Sequence, residues 1–149
     1  MGKILVSRCL AGFCCRYDGG NNLVPEIKRL ADLGLAVTAC PEQLGGLPTP
    51  RVPSERIGDR VVNREGTDVT SEFRAGAEAA LRIAREHGCT SAVLKSRSPS
   101  CGKGCIYDGR FTGELVAGNG VTTDLLLQNG IPVMTEEDYL ASLPGGEAD

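Results

Sequence analysis

The chain has 149 residues, a formal net charge of -3 and a hydrophobic fraction of 41%. These totals are typical of one globular domain that buries a sizeable core. They exclude a strongly basic nucleic-acid-binding domain, because the arginines are interleaved with carboxylates, and no apolar run is long enough to span a bilayer. We therefore predict a single domain over residues 1–149, and we expect neither a membrane nor nucleic acid among its partners.

The first strand of the domain is predicted in Lys3–Ser7, a short and mostly apolar run. The segment MGKILVSRCL around it lacks the apolar core and small-residue cleavage site of a signal peptide, so we expect a cytoplasmic protein. A helix is predicted over Leu23–Leu33, where Gly34 ends the apolar periodicity. A second strand is predicted over Leu35–Ala39, and the following Cys40-Pro41 ends it.

The segment Glu42–Asp59 is rich in glycine, proline and arginine and has neither a helical nor an alternating pattern. We predict a loop for the whole segment, and ordered loops of this length are often functional. A short strand is predicted over Arg60–Asn63. The clearest helix is predicted over Thr70–Glu86, because its apolar residues form one stripe at helical spacing.

The C-terminal half continues the alternation of strands and helices. We predict a third strand over Ser91–Lys95 and a hairpin over Ile106–Val116. A helix over Val121–Gln128, a last strand over Ile131–Met134 and a last helix over Glu136–Leu143 complete the set. This alternation predicts an α/β fold: a Rossmann-like sandwich with a mostly parallel sheet flanked by helices.

Seven cysteines are many for a chain of this size without an export signal. An odd count in a cytoplasmic protein favours metal binding or thiol chemistry over a disulfide framework. The single histidine, His87, lies at a predicted helix end, where a histidine commonly faces the last carbonyls. A zinc site with two histidines is therefore excluded. The chain also has no C-x-x-C pair, which argues against a zinc ribbon or a thioredoxin-like motif.

Three of the cysteines follow predicted strands of the sheet. Cys9 follows the first strand, Cys40 the second, and Cys101 the third after the loop Ser-Arg-Ser-Pro-Ser. Ligands of open parallel sheets bind outside the carboxyl ends of the strands, so we expect these three thiols at one edge. Three converging thiolates repel each other unless a cation holds them, which indicates a thiophilic metal or an iron–sulfur cluster.

The other cysteines carry weaker signals. Cys89, at the start of a predicted strand, is expected to be a small buried hydrophobe. Cys14, Cys15 and Cys105 lie close in sequence to the three strand-end cysteines. For each of these three, core packing and a supporting role at the site remain open alternatives.

Four segments carry a family resemblance: SRCLAGFCCRYDGG, CPEQLGGLPTPRVPSE, KSRSPSCGKG and FTGELVAGNGVTTDLLLQNGI. Together they resemble the family that includes 2-thiouracil desulfidase, and the resemblance covers nearly the whole chain. It implies a 4Fe-4S cluster held by three cysteines, which map onto Cys9, Cys40 and Cys101. The fourth iron would then be free to bind the thiocarbonyl sulfur of a substrate.

On this resemblance we expect an iron–sulfur-dependent, non-redox desulfidase. It would convert C=S to C=O in a small thiolated base such as 2-thiouracil and release hydrosulfide. We predict Glu42 as the base that activates water and Ser96 as its catalytic partner. We predict Ser98, Ser100 and Arg51 as substrate-binding residues. Each has a structural alternative, since Glu42 and Arg51 could pair with each other and the serines could cap local turns.

Two alternatives to an enzyme of this kind remain. The same cysteines could hold a cluster or a persulfide in a sensor or sulfur-carrier module that turns over no substrate. A thiol-redox enzyme could instead use Cys14-Cys15 or Cys101-Cys105. A further ambiguity concerns the cluster itself, because a fourth cysteine bound to its open iron would close the site to substrate.

Overall fold

The computed structural model describes residues 2–144, and the tail beyond lies outside the described residues. In chain order the elements are β1 (Lys3–Ser7), α1 (Pro25–Asp32), β2 (Ala36–Ala39), α2 (Pro41–Leu44), β3 (Ser54–Ile57), β4 (Arg60–Asn63), α3 (Thr70–Glu86), β5 (Cys89–Leu94), β6 (Cys105–Tyr107), β7 (Leu115–Ala117), α4 (Val121–Gln128), β8 (Val133–Thr135) and α5 (Glu136–Ser142). Within residues 2–144, no helix combines the length and apolar character that crossing a membrane requires.

The centre of the fold is a four-stranded parallel sheet with the strand order β2-β1-β5-β8. Side chains on its strands alternate between two cores, as the two-residue period of a strand requires. Leu5 and Leu94 pack with residues of α3 and α4 on one face. Val6 and Val93 pack with residues of α1 and α5 on the other face. The predicted α/β sandwich with helices on both faces is therefore confirmed.

The prediction of a structureless loop over Glu42–Asp59 is wrong. The segment begins within helix α2 and later forms strand β3, which pairs with β4 in an antiparallel hairpin. The sequence of β3, SERI, does not show the apolar pattern of a strand. Its buried position is occupied by Glu55, where a strand ordinarily has an apolar residue. The α2 helix has only four residues, which is too short to show a periodic apolar stripe.

Two glycines allow α2 to lie directly on α3. A Cβ atom at Gly76 would overlap the carbonyl oxygen of Pro41, and one at Gly45 would overlap that of Glu72. No side chain fits between these two backbones, so the contact fixes the position of α2 against the long helix. Because α2 starts just after β2, this contact also fixes the residues that follow the carboxyl end of that strand.

The loop between β5 and β6 rests on the first turn of α4. The amide of Thr122 donates to the carbonyl of Ser100 at 2.8 Å, and the Thr123 hydroxyl donates to the carbonyl of Cys101 at 2.8 Å. A Cβ at Gly120 would overlap the Ser100–Cys101 peptide, so glycine is required there for close approach. The start of α4 therefore holds this loop in place at the edge of the sheet.

Candidate active site

A cavity of about 510 Å³ lies beyond the carboxyl ends of the parallel strands. It occupies the place where α/β sheets bind their ligands. All eight residues that the sequence analysis assigned to a site line it, namely Cys9, Cys40, Glu42, Arg51, Ser96, Ser98, Ser100 and Cys101. The structure thus brings the predicted residues together, while their chemical roles stay predictions.

The three strand-end cysteines reach the cavity from three neighbouring strands. Cys9 lies in a short 3-10 turn directly after β1, and Cys40 directly follows β2. Cys101 lies in the loop after β5 and is 4% exposed. Because β1 lies between β2 and β5 in the sheet, the three thiols enter the cavity side by side.

A fourth cysteine, Cys15, also lines this cavity. It is buried, whereas its neighbour Cys14 is exposed, and the Cys40 thiol donates to the Cys15 backbone carbonyl at 3.9 Å. The sequence leaves core packing and a supporting role at the site open for Cys15. Its burial could not be predicted, because sequence alone does not show which of the two neighbouring cysteines, Cys14 or Cys15, points inward. Cys89 is buried in the core below α3 and away from the cavity lining, as predicted.

The four sulfurs influence each other's titration. The hydrogen bond with Cys15 lowers the pKa of Cys9, and the same kind of bond lowers the pKa of Cys40 to about 7. These bonds raise the pKa of Cys15 above its ordinary value. Burial raises the pKa of Cys101 to about 12. The lowered pKa values shift Cys9 and Cys40 toward the thiolate, the form in which sulfur binds metals.

Glu42 is held at the cavity wall by two polar contacts. The Arg51 Nε donates to one carboxylate oxygen at 2.9 Å, and the Ser100 hydroxyl donates to the other at 3.1 Å. The hydroxyl of Ser98 lies 3.0 Å from that of Ser100. A chain of hydroxyls therefore leads from the loop after β5 to the carboxylate that follows β2.

The remaining guanidinium nitrogens of Arg51 bind other segments. One donates to the carbonyl of Cys15 at 2.9 Å, and the other to Thr49 at 3.0 Å. The side chain is 6% exposed. Arg51 therefore ties the Cys15 segment, the Glu42 carboxylate and the following turn together, in line with the structural alternative that the sequence left open for it.

Ser96 is bonded to a residue that sequence analysis did not select. Its amide and its hydroxyl donate to the two carboxylate oxygens of Glu136, at 2.7 Å and 3.1 Å. The same carboxylate forms an ion pair of 2.9 Å with the Lys95 ammonium. Lys95 lines the cavity beside Ser96. No sequence signal joined these residues, because Glu136 lies 40 residues from Ser96 at the start of the last helix.

Cations outnumber carboxylates in the wall of the cavity. The lining includes Lys95 and five arginines but only two carboxylates, and these are Glu42 and Glu55. Four of the six cations are ion-paired with carboxylates, so the lining alone overstates the positive charge at the site. These pairs are Arg51–Glu42, Arg16–Asp18, Lys95–Glu136 and Arg97–Glu137. The five arginines are Arg8, Arg16, Arg51, Arg64 and Arg97.

The candidate donors are cysteine thiols, the ligand type that holds iron–sulfur clusters. Among residues 2–144, no group of three or more histidine, cysteine or carboxylate side chains converges to hold one ion. The cysteines of an iron–sulfur cubane each bind a different iron, so their sulfurs need only surround a shared space. Cys9, Cys40 and Cys101 line one cavity, and their assignment to a cluster stays a prediction.

Comparisons with known proteins agree with the geometry. Residues 4–138 match the family model described as 2-thiouracil desulfurase. The chain is 43% identical over 145 residues to the uncharacterized protein YbbK of Bacillus subtilis strain 168, and the match covers 91% of this chain and 96% of that one. It also resembles a solved structure described as the 4Fe-4S-dependent thiouracil desulfidase TudS, with a TM-score of 0.88, 48% identity and 93% of each chain covered.

Proposed function

The chain belongs to the 2-thiouracil desulfurase family, and we propose that it removes sulfur from a thiolated pyrimidine with a 4Fe-4S cluster as cofactor. The reaction replaces C=S by C=O without net electron transfer and releases hydrosulfide. The observation that carries this proposal is the gathering of three strand-end cysteines and one held carboxylate around a single cavity. The solved relative described as 4Fe-4S-dependent supports the choice of cofactor.

Cys9, Cys40 and Cys101 are the residues we assign to the cluster. They come from three adjacent strand ends and line one cavity. When bound, the cluster would supply an iron with Lewis acidity toward a thiocarbonyl sulfur. Cys15 is left as a thiol beside two of the ligands, and its position next to Cys9 and Cys40 makes it a hydrogen-bond donor to them.

Glu42 is the residue we assign to water activation. Its carboxylate lines the cavity and follows Cys40 by two residues, so the base stays close to a cluster ligand. Arg51 holds one carboxylate oxygen and Ser100 the other, which fixes the orientation of the group. The carboxylate takes a proton from water as the water oxygen adds to the thiocarbonyl carbon. That proton is then available to the departing sulfur.

Ser98 and Ser100 are the residues we assign to substrate binding. Their hydroxyls lie 3.0 Å apart at the cavity wall and connect to Glu42, so a bound heterocycle that contacts them is also close to the base. For Arg51 we propose an action through Glu42, because its nitrogens bind protein atoms. For Ser96 we propose a positioning role rather than the predicted catalytic one, since its hydroxyl is bonded to Glu136.

An anaerobic assay tests this proposal. Protein reconstituted with iron and sulfide is incubated with 2-thiouracil or 4-thiouracil, and hydrosulfide, uracil and protein-bound iron are measured on the same sample. We expect about four irons per chain, the content of one cubane cluster, and equal amounts of uracil and hydrosulfide. A cluster that binds fully but releases no hydrosulfide would instead support a sensor or sulfur carrier. We also propose a cytoplasmic location, consistent with seven cysteines that are all free.

A further inference from the structure

A charged pair beside the cluster cysteines has no role in the chemistry assigned above. The Lys95 ammonium lies 2.9 Å from Glu136, and its side chain is 26% exposed against 10% for the glutamate. Removing two charges from water costs free energy that their attraction alone often fails to recover. The ion pair is therefore not expected to contribute much to stability. Its position beside the cavity suggests a role for the Lys95 charge in binding or catalysis.

The short contacts that the described residues make with the Lys95 ammonium do not use all of its protons, and Lys95 lines the cavity. Its Nζ donates to the Glu136 carboxylate at 2.9 Å and to the Ser96 hydroxyl at 3.1 Å. The Ser96 hydroxyl donates in turn to the same Glu136 oxygen at 3.1 Å, so the three groups form a closed triangle. An ammonium has three protons, and within residues 2–144 its one remaining contact is a long one of 3.4 Å to the Ser96 carbonyl.

The triangle is anchored on both sides of the sheet edge. Glu136 begins α5, where Thr135 caps the helix through a reciprocal bond pair with Asp138. The backbone amide of Lys95 donates to the Ser7 hydroxyl at 2.9 Å, at the end of β1. Lys95 follows β5, Glu136 follows β8 and Ser7 ends β1, so three parallel strand ends fix the Lys95 backbone and the carboxylate that holds its ammonium. An ammonium fixed in this way is preorganised for a charge that appears in the cavity.

We propose that Lys95 contacts the substrate as a cation and that Glu136, through its bonds to Lys95 and Ser96, is the residue that positions it. This inference rests on the proposed desulfidase function. Addition of water to the thiocarbonyl carbon, with its proton taken by Glu42, leaves one negative charge on the attacked heterocycle. A fixed ammonium beside that charge stabilises the transition state more than the neutral substrate, so it raises kcat with little effect on KM.

The test compares Lys95→Met, Lys95→Arg and Glu136→Gln in reconstituted, anaerobic protein. Loss of a charge-assisted hydrogen bond predicts that Lys95→Met lowers kcat by about tenfold to hundredfold and changes KM little. Lys95→Arg keeps the cation and should recover part of the loss. Glu136→Gln keeps the shape and one of the two acceptors for Ser96 but loses the charge that holds Lys95, so kcat should fall by a smaller factor.

A double variant distinguishes positioning from a structural role. If Glu136 acts through Lys95, then Lys95→Met with Glu136→Gln has the same kcat as Lys95→Met alone. Independent, multiplying losses in kcat would overturn the inference. Glu86→Gln is the matched control, because Glu86 is an exposed glutamate at the end of α3 and does not line the cavity. Its kcat should equal that of the wild type.

Iron content and thermal unfolding are measured for every variant, so loss of cluster or of fold is seen directly. Should Glu136→Gln fail to fold, the comparison of Lys95→Met with Lys95→Arg still decides whether the cation acts. A wild-type protein that is active, together with an equally active Lys95→Met, would refute the inference and leave the desulfidase function standing. A wild-type protein that binds its cluster and releases no hydrosulfide would overturn both.

Discussion

Glu42 and Arg51 form an ion pair of 2.9 Å in which the arginine side chain is only 6% exposed and the glutamate 16%. Arg51 also binds the carbonyl oxygen of Cys15. The pair therefore links the segment after β2 to the segment that carries the fourth buried thiol. A carboxylate held in this way has a fixed orientation at the cavity wall, as a general base requires.

The first prediction concerns this carboxylate. Glu42→Gln should keep the contact with Ser100 and the cluster, and lower kcat for thiouracil by roughly 10²-fold to 10⁴-fold, the range that a positioned general base contributes. The measurement is hydrosulfide release under anaerobic conditions, with iron determined on the same preparation. Glu78→Gln is the control, because Glu78 is exposed on the surface of α3. Full activity in Glu42→Gln would remove this residue from the mechanism.

The second prediction concerns the cluster ligands. Replacing Cys9, Cys40 or Cys101 with serine should each abolish the visible absorption of the cluster and most of the bound iron, because every substitution removes one iron–thiolate bond. Cys89→Ser should retain both, since Cys89 packs in the core under α3. Iron analysis and absorption spectra of the four variants, prepared side by side, give the result. Iron retained in any of the three strand-end variants would exclude that cysteine as an essential ligand.

The third prediction separates Cys15 from these ligands. If Cys15 only donates hydrogen bonds to neighbouring sulfurs, Cys15→Ala should keep about four irons per chain. Hydrogen bonds to cluster sulfurs raise the reduction potential, so the cluster of Cys15→Ala should have a lower potential than that of the wild type. Redox titration followed by electron paramagnetic resonance measures it. Loss of one iron or more in Cys15→Ala would identify Cys15 as a ligand and close the proposed open site.

The fourth prediction concerns the contact between α2 and α3. Gly76→Ala places a methyl group against the Pro41 carbonyl and should lower the free energy of unfolding by about 1–3 kcal/mol, the usual cost of overpacking. Because the displaced helix starts beside Cys40 and carries Glu42, desulfidase activity should fall further than stability alone explains. Denaturant unfolding and activity are measured together. Ala75→Ser, at an exposed position of the same helix, should change neither property.

The fifth prediction concerns acid stability at the start of α3. Hydrogen bonds from the Thr70 side chain and backbone, with Arg60, lower the pKa of Asp68 to about 2. The ordinary pKa of this carboxyl group is 3.8, so its ionised form is more stable in the folded protein than in the unfolded chain. This contribution to the free energy of unfolding is fully present above pH 4 and is lost as the pH falls toward 2. Asp68→Asn should therefore be less stable than the wild type at pH 6, and the difference should shrink by pH 3.

Urea unfolding at the two pH values measures this difference. Asp59→Asn is a suitable comparison, because Asp59 is exposed and lies on the nearby hairpin turn. A gap between wild type and Asp68→Asn that stays constant from pH 6 to pH 3 would contradict the prediction.

Sequence reasoning located the strand ends and therefore the cysteines, because buried parallel strands appear as short apolar runs bounded by glycine, proline or polar residues. Lys3–Ser7 and the run after Cys89 are of this kind. The order of strands in the sheet then brought Cys9, Cys40 and Cys101 to one edge. This part of the site follows from local patterns and one general rule of sheet topology.

The partners of those residues could not be found in the same way. Glu136 contacts Ser96 across 40 residues, and Glu55 is buried in β3 because its carboxylate accepts from the amides of Gly109 and Phe111. Contacts of this kind depend on how distant segments pack, and a charged residue in a sequence ordinarily predicts an exposed surface. The inward direction of Cys15 depends in the same way on tertiary packing.

The central claim is that a cluster held in this cavity makes the protein a desulfidase. The most direct measurement is hydrosulfide released per chain from thiouracil by anaerobic protein, before and after the cluster is removed from the same preparation. The account predicts catalytic release that depends on bound iron and returns after reconstitution. Equal release by the iron-free protein, or no release by the fully loaded protein, would contradict it.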